Sequence, residues 1–143
     1  MPTGAADNFA HGTYGDISGV TFYGPPVKGF WEDSFAVSDR FIDPLLRAIL
    51  DRAERVERTK VPRMAAEWNA LTGWTDAAGT IELPLADVTE LIGALVAVSE
   101  VDLTPHVAEF AVTPEECLRC ASALASFLRE RVGRGLQVYV ERD

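Results

Sequence analysis

Residues 113–141 read TPEECLRCASALASFLRERVGRGLQVYVE, and this stretch decides the fold class. Its first four residues place threonine at a helix N-cap, proline at the first helical position and glutamate at the third, which is a capping-box pattern. The apolar spacing that follows predicts a helix over 114–132, and the glycines after it predict a tight turn. The alternation over 136–141 predicts a strand. A helix that turns directly into a strand favours an α+β fold.

The rest of the chain carries the same kinds of signal. Helical spacing and helix-start residues predict three further helices, and β-prone runs that end at glycine or proline predict two further strands: helices 44–58, 62–71 and 88–99, and strands 19–23 and 80–83. The segment 106–112 fits either a short helix or a strand, and its poor alternation favours the helix.

These elements predict one α+β domain over residues 1–143, with about four helices on a small, mainly antiparallel sheet of three or so short strands. Residues 1–33 form an N-terminal arm rich in glycine and aromatic residues. Residues 34–143 form a helical core that ends in the helix, turn and strand described above.

The helix predicted at 44–58 has a charged face that pairs with itself. Asp43-Pro44 is a typical helix start, with aspartate at the N-cap. Asp43 and Arg47 stand four residues apart with the acid first, as do Asp51 and Arg55, and this spacing supports ion pairs along one helix. The arrangement is typical of a solvated helix face and not of a phosphate-binding strip.

Cys117-Leu118-Arg119-Cys120 is the motif that most invites a chemical interpretation, because a C-x-x-C pair can be a redox centre or half of a zinc site. Its position favours neither. Cys117 lies about one turn inside the predicted helix, beyond the free backbone donors that stabilise a thiolate. On a helical wheel both cysteines fall on the apolar face, so we predict buried, structural thiols, with a regulatory thiol or zinc as alternatives. No cofactor or metal site is predicted.

The helix predicted at 88–99 is apolar nearly all round, since only Thr89 and Glu90 are clearly polar before Ser99. A helix of this kind must be buried on several sides. Either it is the central helix of the domain, or one of its faces meets another chain. A homodimer through residues 88–98 is one form of the second alternative.

The charge distribution is the main indication of partners. No lysine or arginine occurs between Arg63 and Arg119, whereas ten aspartates and glutamates do, and the whole chain has a net charge of −9. Such a chain would repel nucleic acid and anionic membranes, because binding to either requires clustered positive charge. We therefore expect neither partner, and a protein with a basic surface is the favoured one.

Location and origin follow only from general features. The longest near-apolar run, Leu91–Val98, is too short to span a bilayer, and no secretory signal is visible after Met1. Two cysteines do not make a disulfide framework, so a cytoplasmic location is the default expectation. The composition, rich in alanine, arginine and leucine, is typical of bacterial or bacteriophage proteins.

We predict a small acidic protein-interaction module, such as an inhibitor, an immunity-type protein or a charge mimic that occludes a basic partner. Signatures of catalytic nucleophiles and of phosphate-binding loops are absent, so no catalytic residue is assigned and an enzyme is not favoured. The candidate binding residues are acids and tryptophans in and around the basic-free stretch: Glu67, Trp68, Trp74, Asp76, Asp87, Glu90, Glu100 and Asp102. Each also has a structural interpretation, such as a helix cap for Asp87 and a core position for each tryptophan.

The alternative is a small enzyme or ligand-binding domain with an aromatic-lined pocket. In that hypothesis His106 and nearby carboxylates transfer protons, because histidine titrates near neutral pH. The hypothesis requires His106, Glu109 or Asp76 to converge in one concave pocket lined by Trp68 and Trp74.

Overall fold

The structure is a computed structural model, which describes residues 9–10, 18–24, 34–57, 61–76 and 79–142. Most of the predicted N-terminal arm therefore lies outside the described residues, as does residue 58, the end of the helix predicted at 44–58. Within those ranges, five α-helices pack on a four-stranded antiparallel sheet, which confirms the α+β class. The strands are β1 (Gly19–Tyr23), β2 (Ser34–Ser38), β3 (Ile81–Leu83) and β4 (Val138–Arg142), and the helices are α1 (Asp39–Arg52), α2 (Arg63–Ala70), α3 (Leu85–Ala97), α4 (Glu100–Val107) and α5 (Pro114–Gly133).

The sheet has the order β2-β1-β4-β3, and every neighbouring pair is antiparallel. The strand β1 was predicted at the observed residues, and it lies in the interior of the sheet between β2 and β4. Its Phe22 is opposite Phe35 on one side and Val140 on the other, and its side chain is fully buried. The arm thus contributes an inner strand. The strand β2 was not predicted.

The helix α1 begins five residues before the predicted start. Ser38 is its N-cap and accepts a hydrogen bond from the backbone N–H of Arg40, so Asp43 does not cap the helix. Pro44 lies inside the helix, although proline lacks the N–H that the helix interior uses. The early start is favoured because it places Phe41 and Ile42 in the core, where both are buried.

The limits of α3 and the start of α4 also differ from the prediction. The helix α3 begins at Leu85, which places Asp87 inside its first turn and not at the N-cap. It ends at Ala97, and Ser99 caps α4 through a capping box with Asp102. Residues 100–107 are therefore helical, and a 3₁₀ turn (Ala108–Phe110) follows, so the helix favoured for 106–112 is correct as far as Phe110.

The helix α5 agrees with its prediction almost to the residue, including the capping box between Thr113 and Glu116. Cys117 and Cys120 are free and fully buried, which confirms the predicted structural burial. Burial, with a smaller effect of the Glu116 charge, raises the pKa of Cys117 to about 12. Burial and the neighbouring Cys117 raise the pKa of Cys120 well above its ordinary value. Both thiols are thus held in the protonated, unreactive form.

No single helix in the described ranges has both the length and the apolar composition needed to cross a membrane. The pair formed by Leu85–Ala97 and Glu100–Phe110 meets those two criteria jointly, but it is bent by 94°.

Candidate functional site

The solvent-facing side of α3 carries no charge and is mainly apolar. Its inner side chains, Val88, Leu91 and Leu95, are buried in the core, as the helical spacing requires. The other side consists of exposed residues without a single charge, and we call it the α3 outer face: Leu85, Ala86, Thr89, Gly93, Val96 and Ala97. Leu85 is 64% exposed and Val96 is 56% exposed. Val101, in the first turn of α4, is 79% exposed.

Two recesses adjoin α3 on opposite sides. One has a volume of about 240 Å³ and lies where β3 leads into α3, with Leu85 and Val88 in one wall and Leu136 in another. The second has a volume of about 190 Å³ and runs beside Gly93 and Ala97. Recesses of this kind can receive a partner's side chains, and the side chains that dominate binding at interfaces fill such pockets.

Three of the predicted binding acids surround Arg63 at the edge of this surface. The guanidinium Nε of Arg63 is 2.7 Å from Glu67 Oε2, and its Nη1 is 3.3 Å from Asp87 Oδ2. The backbone N–H of Arg63 donates to Glu90 Oε1 at 2.8 Å. Two carboxylates therefore share one guanidinium group and a third is held by the backbone N–H, so the cluster keeps a negative balance.

Glu67 is held more firmly than a surface acid. Its Oε1 also accepts a hydrogen bond from the backbone N–H of Trp74 at 3.1 Å, which closes the turn after α2. Burial acts to raise the pKa of Glu67, but the hydrogen bonds from Arg63 and Trp74 and the positive charge of Arg63 outweigh it, so the pKa is lowered. Glu67 therefore stabilises the fold and is not free to bind a partner.

Asp102 is also used inside the molecule. It is buried, and its Oδ2 is 2.9 Å from the backbone N and from the Oγ of Ser99, and 2.9 Å from Arg52 Nη1. Burial acts to raise its pKa, but the Ser99 hydrogen bonds and the Arg52 interactions lower it overall. By contrast Asp76 and Glu100 are exposed, and no ion pair involving either occurs among the described residues.

The two tryptophans stack on each other inside the core, with ring centroids 5.6 Å apart. Trp74 Nε1 donates to the carbonyl of Met64 at 3.1 Å, and Trp68 Nε1 donates to Asp43 Oδ1 at 2.6 Å. Both rings are therefore core residues with satisfied donors, although Trp68 also lines a surface cleft.

That cleft has a volume of about 360 Å³ and lies at the ends of α1, α2 and β4. The cleft is lined by two acid–arginine pairs, two aromatic rings and two further side chains: Asp39, Asp43, Arg47, Trp68, Asn69, Leu71, Phe110 and Arg142. The sequence did not identify this group. The spacing of Asp43 and Arg47 was visible, but it was interpreted as part of a solvated helix face.

The catalytic arrangement of the alternative hypothesis is not assembled here. His106 and Asp76 are not among the residues that line the cleft, and Glu109 reaches it only through Arg47, whose Nη1 is 3.5 Å from Glu109 Oε1. His106 Nε2 instead lies 3.9 Å from Asp51 Oδ2. In the part of the chain that the structure describes, no group of three or more His, Cys, Asp or Glu side chains is placed to hold a metal ion.

No protein-family model, curated protein or solved structure matches this chain. The function must therefore be argued from the surfaces described above.

Proposed function

We propose that this protein is an acidic protein-interaction module that binds a basic partner through the α3 outer face. One observation carries the proposal: a regular helix presents Leu85 and Val96 to solvent on a face without charge. Large side chains exposed together on a small acidic domain are a typical sign of a contact surface.

Charge supports a basic partner over a second copy of the chain. Glu82 is exposed just before α3, Glu100 is exposed just after it, and the carboxylates around Arg63 lie along one side. Two copies, each with a net charge of −9, would bring like charges together at this surface. A partner with lysines or arginines around an apolar centre would instead be attracted by the surrounding carboxylates. Its apolar centre would be buried against the α3 outer face.

In this role the protein would act as an inhibitor, an immunity-type protein or a charge mimic that covers the working surface of a basic protein. This proposal requires no catalytic group, cofactor or direct contact with nucleic acid or membrane. A cytoplasmic location and a bacterial or phage origin stay predictions from the sequence. The enzymatic alternative is less favoured, because among the described residues His106 and Asp76 do not line the cleft that Trp68 lines, and His106 instead lies near Asp51.

The test compares capture of proteins by the wild type and by single variants of the α3 outer face. Leu85→Asp and Val96→Asp place a charge near either end of the surface, and a central contact residue at an interface contributes about 1–2 kcal/mol or more. We expect each variant to reduce capture of a basic protein from an extract at least about tenfold, as measured by quantitative mass spectrometry.

Leu71→Asp is the matched control. Leu71 is 72% exposed, lies after α2 and outside the α3 outer face, and its φ of 58° is a conformation that aspartate tolerates. Capture should survive this change and should weaken as salt is raised. The proposal fails if Leu85→Asp and Val96→Asp leave capture unchanged. It fails equally if light scattering shows a wild-type homodimer that Val96→Asp converts to a monomer, since the face would then be occupied by a second copy.

A further inference from the structure

The cleft lined by Trp68 is separate from the α3 outer face, since none of its lining residues belongs to α3. Its volume of about 360 Å³ lies at the lower end of the range of small-molecule pockets. The walls combine two carboxylates and two guanidinium groups with the rings of Trp68 and Phe110. Ligand-binding pockets likewise combine apolar and aromatic walls with polar groups that orient the ligand.

One of the two ion pairs is fixed in place. Arg142 contacts both carboxylate oxygens of Asp39, with Nη2 2.9 Å from Oδ2, and Ser18 Oγ donates to the same Oδ2 at 2.7 Å. The Arg142 guanidinium also lies over the Trp68 ring, 4.5 Å from its centroid. A bidentate pair that is stacked on an aromatic ring is well organised. Asp39 and Arg142 therefore form a wall of the cleft.

The other ion pair has fewer supporting contacts in the cleft and a more exposed arginine. Asp43 Oδ1 accepts the hydrogen bond from Trp68, but Oδ2 is inaccessible to solvent and accepts no well-aligned hydrogen bond from the described residues. Its close neighbour is Arg47 Nε, at 2.9 Å. The Asp43 side chain is only 12% exposed, whereas the Arg47 side chain is 48% exposed and can move into solvent. The Asp43 Oδ2 acceptor is thus covered by a cation whose side chain is half exposed.

Charge decides which ligand this pair can accept. A simple anion would draw Arg47 away and leave the carboxylate of Asp43 buried without a counter-charge, which is costly. A simple cation would replace Arg47 on Asp43 and leave the arginine only its long contact with Glu109. A molecule with both charges can enter between Asp43 and Arg47 and satisfy each of them.

We propose that the cleft binds a free α-amino acid with an apolar or aromatic side chain. The ligand's ammonium group donates to Asp43 Oδ2, and its carboxylate pairs with the guanidinium of Arg47. The side chain lies against Trp68 and Phe110, where the cleft is aromatic. The site does not depend on the α3 outer face, so it adds a small-molecule function to the protein.

The experiment measures binding of three probes by calorimetry and by tryptophan fluorescence: L-phenylalanine, phenethylamine and 3-phenylpropionate. The last two each lack one of the charges. We expect saturable binding of L-phenylalanine, and binding at least about tenfold weaker for each single-charge probe, because each loses one charge-assisted contact. L-leucine, which keeps both charges, should bind within about tenfold of L-phenylalanine.

Single substitutions test which side chains contact the bound amino acid. Arg47→Gln and Asp43→Asn should each weaken L-phenylalanine binding at least about tenfold. Asparagine at 43 can still accept the Trp68 hydrogen bond, and circular dichroism shows whether each variant is folded. Asp51→Asn is the matched control, because Asp51 lies on the same helix and pairs with Arg55 at the same spacing, outside the cleft.

Three results would overturn the inference: no saturable binding of any apolar amino acid at millimolar concentration, equal affinity for the three probes, or unchanged affinity in Arg47→Gln. Val96→Asp should leave amino-acid binding intact, so the outcome is independent of the proposed partner surface.

Discussion

The substitution Gly73→Ala tests the packing of the Glu67 carboxylate against the turn after α2. Its φ is 58°, which an L-residue adopts at a cost of about 1–2 kcal/mol. A Cβ built there would lie 2.1 Å from Glu67 Oε1, so the carboxylate would have to move. That carboxylate is held by the backbone N–H of Trp74 and by Arg63 Nε, and displacing it should cost about 1–2 kcal/mol more. We therefore expect Gly73→Ala to destabilise the protein by about 2–4 kcal/mol.

The two contributions can be separated. Gly135 has a φ of 71°, but a Cβ at that position would meet no atom within 4 Å. Gly135→Ala should therefore show only the backbone cost of about 1–2 kcal/mol. Combining Gly73→Ala with Glu67→Ala removes the clash, so the glycine substitution should then cost no more than it does at position 135.

The assay is equilibrium unfolding in urea, followed by tryptophan fluorescence and circular dichroism. A double-mutant cycle on Gly73 and Glu67 should give a coupling free energy of about 1–2 kcal/mol. Strict additivity of Gly73→Ala and Glu67→Ala would refute the reasoning, because it would mean that the Glu67 carboxylate does not occupy the space beside Gly73. Equal effects of the substitutions at 73 and 135 would refute it as well.

Three further predictions concern buried ionisable groups. Asp102→Asn should destabilise the protein by about 1–3 kcal/mol in urea unfolding, because Arg52 loses a partner, and an effect below about 0.5 kcal/mol would contradict this. The folded-state pKa values of Glu67 and Asp102 are lowered, so their stabilisation is present above the unfolded pKa of about 4 and is lost as pH falls through the lower folded pKa. Melting temperatures below about pH 4 should therefore fall less in Asp102→Asn than in the wild type. Cys117 and Cys120 should react with a thiol reagent only in denaturant, and fast labelling of the native protein would contradict their burial.

Local signals in the sequence predicted most of the fold. The capping box and apolar spacing of α5 depend on neighbours within about one turn, so the helix, its buried cysteines and the strand after it were predictable. The strand β2 was not predicted, because Asp43-Pro44 resembles a helix start whereas the N-cap is Ser38, the last residue of β2. The cap that forms instead is favoured by the burial of Phe41 and Ile42, which local patterns do not report.

The sites were less predictable, because they depend on contacts between distant residues. Arg63 contacts Asp87 through its guanidinium and Glu90 through its backbone N–H, across more than twenty positions, so acids that looked free in the sequence have partners. The cleft combines residues from α1, α2 and β4, which no spacing in the chain reveals. The apolar character of α3 was visible, but only the structure shows that one of its sides faces solvent.

The place of β1 in the sheet has a consequence for folding. Its Tyr23 hydroxyl donates a hydrogen bond to Glu141, which is 118 residues away along the chain. The strand β3 pairs only with β4 among the described strands, so β4 joins both halves of the sheet. Closing so long a loop has a large entropic cost before any strand contact compensates for it, which slows folding. During synthesis on the ribosome, β1 and β3 must therefore wait for the segment 138–142 before either can complete its hydrogen bonds.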